Sequence, residues 1–87
     1  MDSTQVEVMI RYVKEKLLRK PDAQITADTP LVSSGIIDSF ALVEALIQLE
    51  RVTNLKIPAI KVAPEDMDTV AKMFETAARM GTPRKRQ

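Results

Sequence analysis

The sequence predicts a single all-α domain with three main helices. Apolar residues recur at helical spacing in three stretches of the 87-residue chain, whereas few β-branched stretches alternate as strands do. The chain contains only two glycines, and capping residues or prolines bound each apolar stretch. With 45% hydrophobic residues, a chain of this length can bury one modest core and not two.

The first helix is predicted over residues 4–18, and Pro21 prevents its continuation. Its apolar stripe consists of Val6, Ile10, Val13 and Leu17. Residues 21–37 then form a long loop, which needs packing of its own in a compact domain. Four apolar residues are expected to pin this loop over the helices: Ile25, Leu31, Ile36 and Ile37.

The second helix is predicted over residues 39–53. Gly35 allows a turn before it, and Asp38 and Ser39 are both good N-cap residues, so that one caps the helix and the other lies beside the cap. Two apolar faces follow. The inward face consists of Leu42, Ala45, Leu46 and Leu49. The second face, about a third of a turn away, consists of Phe40, Val43 and Ile47.

The last third of the chain is predicted to end in a helix. Residues 59–67 hold one short turn or two, and the sequence does not decide between them. Asp68 and Thr69 are expected to cap a helix over residues 69–80, and Gly81 is expected to stop it. We therefore divide the chain into a domain over residues 1–81 and a basic, disordered tail over residues 82–87.

Composition excludes several classes of function. The chain has no Cys and no His, which argues against a disulfide framework, the usual zinc sites and nucleophilic triads. No apolar run approaches the length of a membrane span, and the N-terminus has no secretory signal pattern, so we expect a cytoplasmic protein. The basic residues of the tail are too few to indicate nucleic-acid binding.

The stretch Gly35-Ile36-Ile37-Asp38-Ser39-Phe40, followed by an amphipathic helix, resembles the modification site of acyl and peptidyl carrier proteins. Ile57-Pro58 matches the same family. The resemblance implies a four-helix bundle with a long first loop and a short third helix. It also implies that Ser39 is esterified with 4′-phosphopantetheine from coenzyme A, that Asp38 helps to engage the transferase and its Mg²⁺, and that the protein is not itself an enzyme.

Residues 21–50 carry five acidic side chains and no Lys or Arg, a net charge of −5, although the whole chain carries +1. In the family, basic patches on partner enzymes dock near this acidic region. The resemblance places the apolar dock at Phe40, Val43 and Ile47, with Glu44 beside it. The alternative is that these three apolar residues belong to the core. The implied partners are a phosphopantetheinyl transferase, an acyl- or aminoacyl-loading ligase and downstream pathway enzymes, and we expect a monomer.

The resemblance leaves the cargo open. Phe40 replaces the usual leucine of the motif, and Asp-Ser-Phe occurs in some free-standing amino-acid carriers, including D-alanine carriers, and in specialised acyl carriers. We therefore expect a dedicated acyl carrier in one lipid or secondary-metabolite pathway, with an aminoacyl carrier of the D-alanine type as the alternative. The competing class is a small helical protein-interaction domain in which Ser39 is only a helix cap.

Overall fold

The computed structural model describes residues 3–83, and within them the chain is mostly helical. The elements are α1 (Ser3–Tyr12), which continues as a π-helical segment (Val13–Leu17), then α2 (Ser39–Thr53) and α3 (Val70–Met80). Two short strands, β1 (Leu55–Lys56) and β2 (Thr82–Pro83), form a small antiparallel pair. The all-α prediction is confirmed, while the two-residue strands were not predicted.

The first helical stretch changes its hydrogen bonding at Val13. The amide of Leu18 donates to the carbonyl of Val13 at 2.9 Å, a bond that spans five residues as in a π-helix. Arg19 then adopts a left-handed conformation with φ of 56° and ends the helix before Pro21. The predicted stripe lies against the core, because Val13 is buried and Val6, Ile10 and Leu17 pack against it.

The loop before α2 is held by hydrogen bonds as well as by apolar packing. Ile25, Leu31 and Ile37 are buried as predicted, whereas Ile36 points outward with 39% of its surface exposed, so the prediction for Ile36 was wrong. Asp68, two residues before the start of α3, accepts hydrogen bonds from the loop through its carboxylate and its carbonyl. The loop therefore has a defined path to the start of α2.

The core lies between the three helices. The residues with no exposed surface include Met9, Val13, Leu31, Ala45, Leu49, Met67, Val70 and Met73. The inward face of α2 is confirmed at Ala45, Leu46 and Leu49, which are buried, and Leu42 is half-buried against them. Leu49 is central to this packing, since it has no exposed surface in the middle of α2.

The region between α2 and α3 contains two 3₁₀ turns, Ala59–Lys61 and Pro64–Met67, in place of one short third helix. Pro64 starts the second turn because its fixed φ suits a first helical position and it has no amide to leave unpaired. Ile57 anchors the preceding segment: its side chain is buried, and its amide donates to the Glu50 carboxylate at 2.7 Å.

The C-terminal end of α3 packs closely on β1. Thr69 caps this helix by accepting from the Lys72 amide at 3.0 Å, so α3 begins at residue 70, one residue later than predicted. Gly81 ends it with φ of −73°, and a side chain there would approach Leu55. Thr82 and Pro83 pair with β1, so the prediction of a disordered tail is wrong for these two residues. Residues 84–87 of the tail lie outside the described residues.

None of the helices within residues 3–83 is long and apolar enough to cross a membrane.

Candidate functional site

Asp38 and Ser39, the two central residues of the motif, lie at the start of α2. The Oδ1 atom of Asp38 accepts a hydrogen bond from the Ala41 amide at 2.9 Å, and the extended backbone of Asp38 is typical of an N-cap. Ser39 is therefore the first residue of the helix and not its cap. The alternative in which the Ser39 side chain serves only as a cap is wrong, because Asp38 has that role.

The hydroxyl of Ser39 is open to solvent. Ser39 is exposed, and within residues 3–83 no hydrogen bond engages its Oγ. The amides of Ser39 and Phe40 belong to the first turn, where a helix has no internal acceptors for them. A phosphate ester on this oxygen would lie near the positive end of the helix dipole without displacing a protein hydrogen bond. The site thus fits a phosphodiester sterically and electrostatically.

The segment before this serine is fixed by a turn and by Asp68. Gly35 has φ of +80°, a conformation that glycine adopts without strain. Asp68 Oδ1 accepts from the amides of Val32 and Ser33 at 2.9 and 2.8 Å, and Asp68 Oδ2 accepts from the Ser33 hydroxyl at 2.9 Å. These bonds, led by that from the Ser33 amide, hold the pKa of Asp68 below its usual value.

The second apolar face of α2 is open to solvent. Phe40, Val43 and Ile47 expose 81%, 57% and 46% of their surfaces, so the structure does not place them in the core. They follow Ser39 along one side of the helix over two turns. Glu44 is exposed beside them. Burial and, secondly, the charge of Glu44 raise the pKa of Tyr12 at the end of α1.

The sequence did not indicate that Ile60 extends this apolar surface. Ile60 is 95% exposed in the turn Ala59–Lys61. Ala59, in the same turn, lines a small cavity of about 90 Å³ together with Val43, so this turn lies beside the exposed face of α2. An isoleucine two residues after Pro58 was the available signal, but a short turn gives no periodicity from which to infer the orientation of its side chain.

The chain matches known proteins along most of its length. The family model described as "Phosphopantetheine attachment site" matches residues 8–75, which include Ser39. The D-alanyl carrier proteins of Streptococcus pyogenes serotype M5 (strain Manfredo) and serotype M1 are each 28% identical to the chain over 75 residues, covering 86% of this chain and 87% of the relative. No solved structure matches the chain.

The family match covers more than half of the chain, and the helical fold agrees with it. Members of this family are carriers, whose reactive thiol belongs to the prosthetic group. The absence of cysteine from the sequence is consistent with that division of roles. The chain therefore belongs to the phosphopantetheine attachment-site family, and it is a non-catalytic carrier with covalently attached 4′-phosphopantetheine.

Proposed function

We propose that the chain carries a small aminoacyl group, of the D-alanyl type, on a 4′-phosphopantetheine arm attached to Ser39. The observation that carries the proposal is the exposed Ser39 hydroxyl, which has no hydrogen bond within the described residues and lies directly after the N-cap of α2. When attached, the arm supplies the thiol that holds the cargo as a thioester.

Ser39 would be the nucleophile in the loading step. Its Oγ would attack the β-phosphorus of coenzyme A, forming a new P–O bond as adenosine 3′,5′-bisphosphate leaves, and the transferase would accept the hydroxyl proton. Asp38 would contact the Mg²⁺ of the transferase. Its Oδ1 atom is committed to the Ala41 amide, whereas its Oδ2 atom has no hydrogen bond in the part of the chain described. Coenzyme A is a cytoplasmic metabolite, so we place this step in the cytoplasm.

Two observations support a small cargo. The relatives at 28% identity are named D-alanyl carrier proteins. The cavity between α2 and the following turns has a volume of about 90 Å³ and is lined by apolar residues such as Leu46 and Met67. An apolar cavity that holds benzene has a volume of about 150 Å³. A medium or long acyl chain would therefore not fit in this particular cavity, whereas a small alanyl group does not need a cavity of that length.

The second face of α2 would receive the partner enzymes. Phe40, Val43 and Ile47 present apolar surface that folding leaves open, and such surface indicates an interaction site. Glu44 would meet a basic group on the edge of the partner, where charge mainly affects the association rate and partner choice. The dock must be accessible to a loading ligase and then to downstream enzymes, so we propose that the carrier acts as a monomer.

A loading assay tests the attachment. The apo protein, a promiscuous phosphopantetheinyl transferase and coenzyme A should yield an intact mass higher by one phosphopantetheine. Ser39→Ala should gain nothing. Ser34→Ala is the matched control, because the Ser34 hydroxyl already donates to the Pro30 carbonyl, and this variant should load normally.

A second assay tests the cargo. The holo protein should accept D-alanine from a D-alanine-activating ligase and ATP, and the gained mass should be released by hydroxylamine, which cleaves thioesters. In parallel, an acyl-activating ligase is supplied with fatty acids. Efficient loading of fatty acid with no loading of D-alanine would support the dedicated acyl carrier and reject the aminoacyl assignment, although Ser39 would stand as the attachment site.

A further inference from the structure

A groove of about 570 Å³ lies between the end of the first helical stretch and the loop before α2. Its volume falls within the range of about 300–1,000 Å³ that is common for small-molecule sites. The apolar part of its lining is formed by Leu17, Leu18, Ala23, Ile25 and Ile36. Lys20 and Gln24 supply polar groups. The lining is thus mostly apolar with one cation and one amide.

This groove lies at the same end of the domain as Ser39. The side-chain amide of Gln5 donates to the Val52 carbonyl at 3.1 Å, so the start of α1 adjoins the end of α2. From Gln5 to Tyr12 the α-helix rises about 10 Å, at about 1.5 Å per residue, and the π-helical segment carries the chain about one turn further to Leu17. From Val52 back to Ser39, α2 rises about 20 Å, so Leu17 lies within about one turn of the level of Ser39.

Ile36 connects the groove to the modification motif. It lies three residues before Ser39 and forms part of the groove lining. It is also the loop isoleucine that folding leaves partly exposed, while the neighbouring Ile37 is buried. A chain attached to the Ser39 hydroxyl thus begins beside the wall that Ile36 provides.

We infer that the 4′-phosphopantetheine arm, once attached to Ser39, rests in this groove. The inference depends on Ser39 being the attachment site. The arm combines an anionic phosphodiester, a dimethyl-substituted carbon and two amides separated by methylene groups, which suits an apolar groove with few polar groups. Lys20 would attract the phosphodiester, and the Gln24 side chain would pair with an amide of the arm.

The groove is separate from the exposed face of α2. Phe40, Val43 and Ile47 do not line it, so an enzyme could dock on that face while the arm remains in the groove. The arm would then leave the groove for the active site of the enzyme. In the resting carrier the thiol and its cargo would be partly shielded from solvent.

Amide shifts of the ¹⁵N-labelled apo and holo proteins test the inference, with complete loading verified by mass. Besides the motif itself, the amides of Leu17, Leu18, Gln24 and Ile25 should shift on loading. In Ile36→Asp these remote shifts should disappear, because a carboxylate in the wall opposes the apolar part of the arm and its phosphodiester. Val8→Asp is the matched control, since Val8 is exposed on α1 outside both the groove and the apolar face of α2, and it should retain the shifts.

Alkylation of the arm provides a second measurement. The sequence has no cysteine, so the arm carries the only thiol, and neutral iodoacetamide reports on it alone. The holo thiol should react at least twofold more slowly than free pantetheine, and Ile36→Asp should restore the free rate. Shifts confined to residues near Ser39, with a thiol as reactive as free pantetheine, would overturn the groove assignment while loading still supports the proposed function. If the mass does not rise, the attachment at Ser39 fails, and the groove inference fails with it.

Discussion

Replacement of Val43 by aspartate should weaken docking without unfolding the carrier. Val43 exposes 57% of its surface on the second face of α2. A matched control exists on the first helix, where Val8 exposes 41% of its surface. The same substitution can therefore be made at two exposed valines, only one of which lies on the proposed dock.

The expected magnitudes follow from these exposures. Full burial of a valine side chain contributes about 1.5–3 kcal/mol, so covering the open half of Val43 should contribute about 1–1.5 kcal/mol to docking. Losing this contribution should weaken the affinity of the carrier for a partner enzyme by about five- to tenfold. Substitutions at exposed positions usually change the free energy of unfolding by no more than about 0.5 kcal/mol. In a domain of this size, that is a shift in Tm of about 2–4 °C.

The assay measures kcat/KM for loading by the transferase at carrier concentrations well below KM. Val43→Asp should lower it at least fivefold, and Val8→Asp should leave it unchanged. Circular dichroism should give similar helicity for both variants. Ala45→Asp is the contrasting core variant, because Ala45 has no exposed surface and an isolated charge cannot be buried there without loss of the fold.

Two results would show that Val43 does not belong to an exposed docking surface. Equal rates for Val43→Asp and the wild type would remove Val43 from the dock. Unfolding of Val43→Asp, as expected for Ala45→Asp, would mean that the valine belongs to the core and that its exposure was misjudged.

Three predictions concern stability. Leu49→Ala should cost about 2–5 kcal/mol in chemical denaturation, because Leu49 is fully buried, whereas Ile47→Ala should cost less than about 1 kcal/mol; equal costs would contradict the assigned faces of α2. Gly81→Ala should lower the free energy of unfolding by about 1–3 kcal/mol, since the new methyl group would clash with the Ala77 carbonyl oxygen and lie 2.9 Å from the Leu55 side chain; an unchanged midpoint would contradict this close packing of α3 on β1. The hydrogen bonds to the ionised Asp68 carboxylate lower its pKa, so they stabilise the fold fully above the usual carboxyl pKa of 3.8, and this stabilisation is lost as the pH falls through the lower pKa of the folded state. The Tm measured from pH 7 to pH 2 should therefore decline less steeply in Asp68→Asn than in the wild type, and equal slopes would contradict this role of Asp68.

The sequence predicted the helices well because their signals are local. The bounds of α2 follow from the Asp38 cap and from apolar spacing, and its two faces follow from the helical period. The same reasoning could not decide whether the second face is covered by another element. Three-dimensional packing supplies that information, and it leaves Phe40, Val43 and Ile47 exposed.

The long-range contacts could not be predicted. Asp68 resembled a helix cap, but Thr69 caps α3, and Asp68 instead holds Val32 and Ser33, about 35 residues away in the chain. Nothing local distinguishes these uses of an aspartate. Likewise, Ile36 and Ile37 are adjacent and chemically identical, and only the path of the loop determines which one is buried.

The central claim is that one particular hydroxyl receives the arm. Loaded protein can be digested with a protease that cleaves before aspartate, which separates residues 28–37, with Ser33 and Ser34, from residues 38–65, with Ser39. Fragmentation of the two peptides then locates the phosphopantetheine. Ser39 in the second peptide should carry all of the phosphopantetheine. Phosphopantetheine on Ser33 or Ser34, or loading of Ser39→Ala to the wild-type extent, would show that Ser39 is not the attachment site.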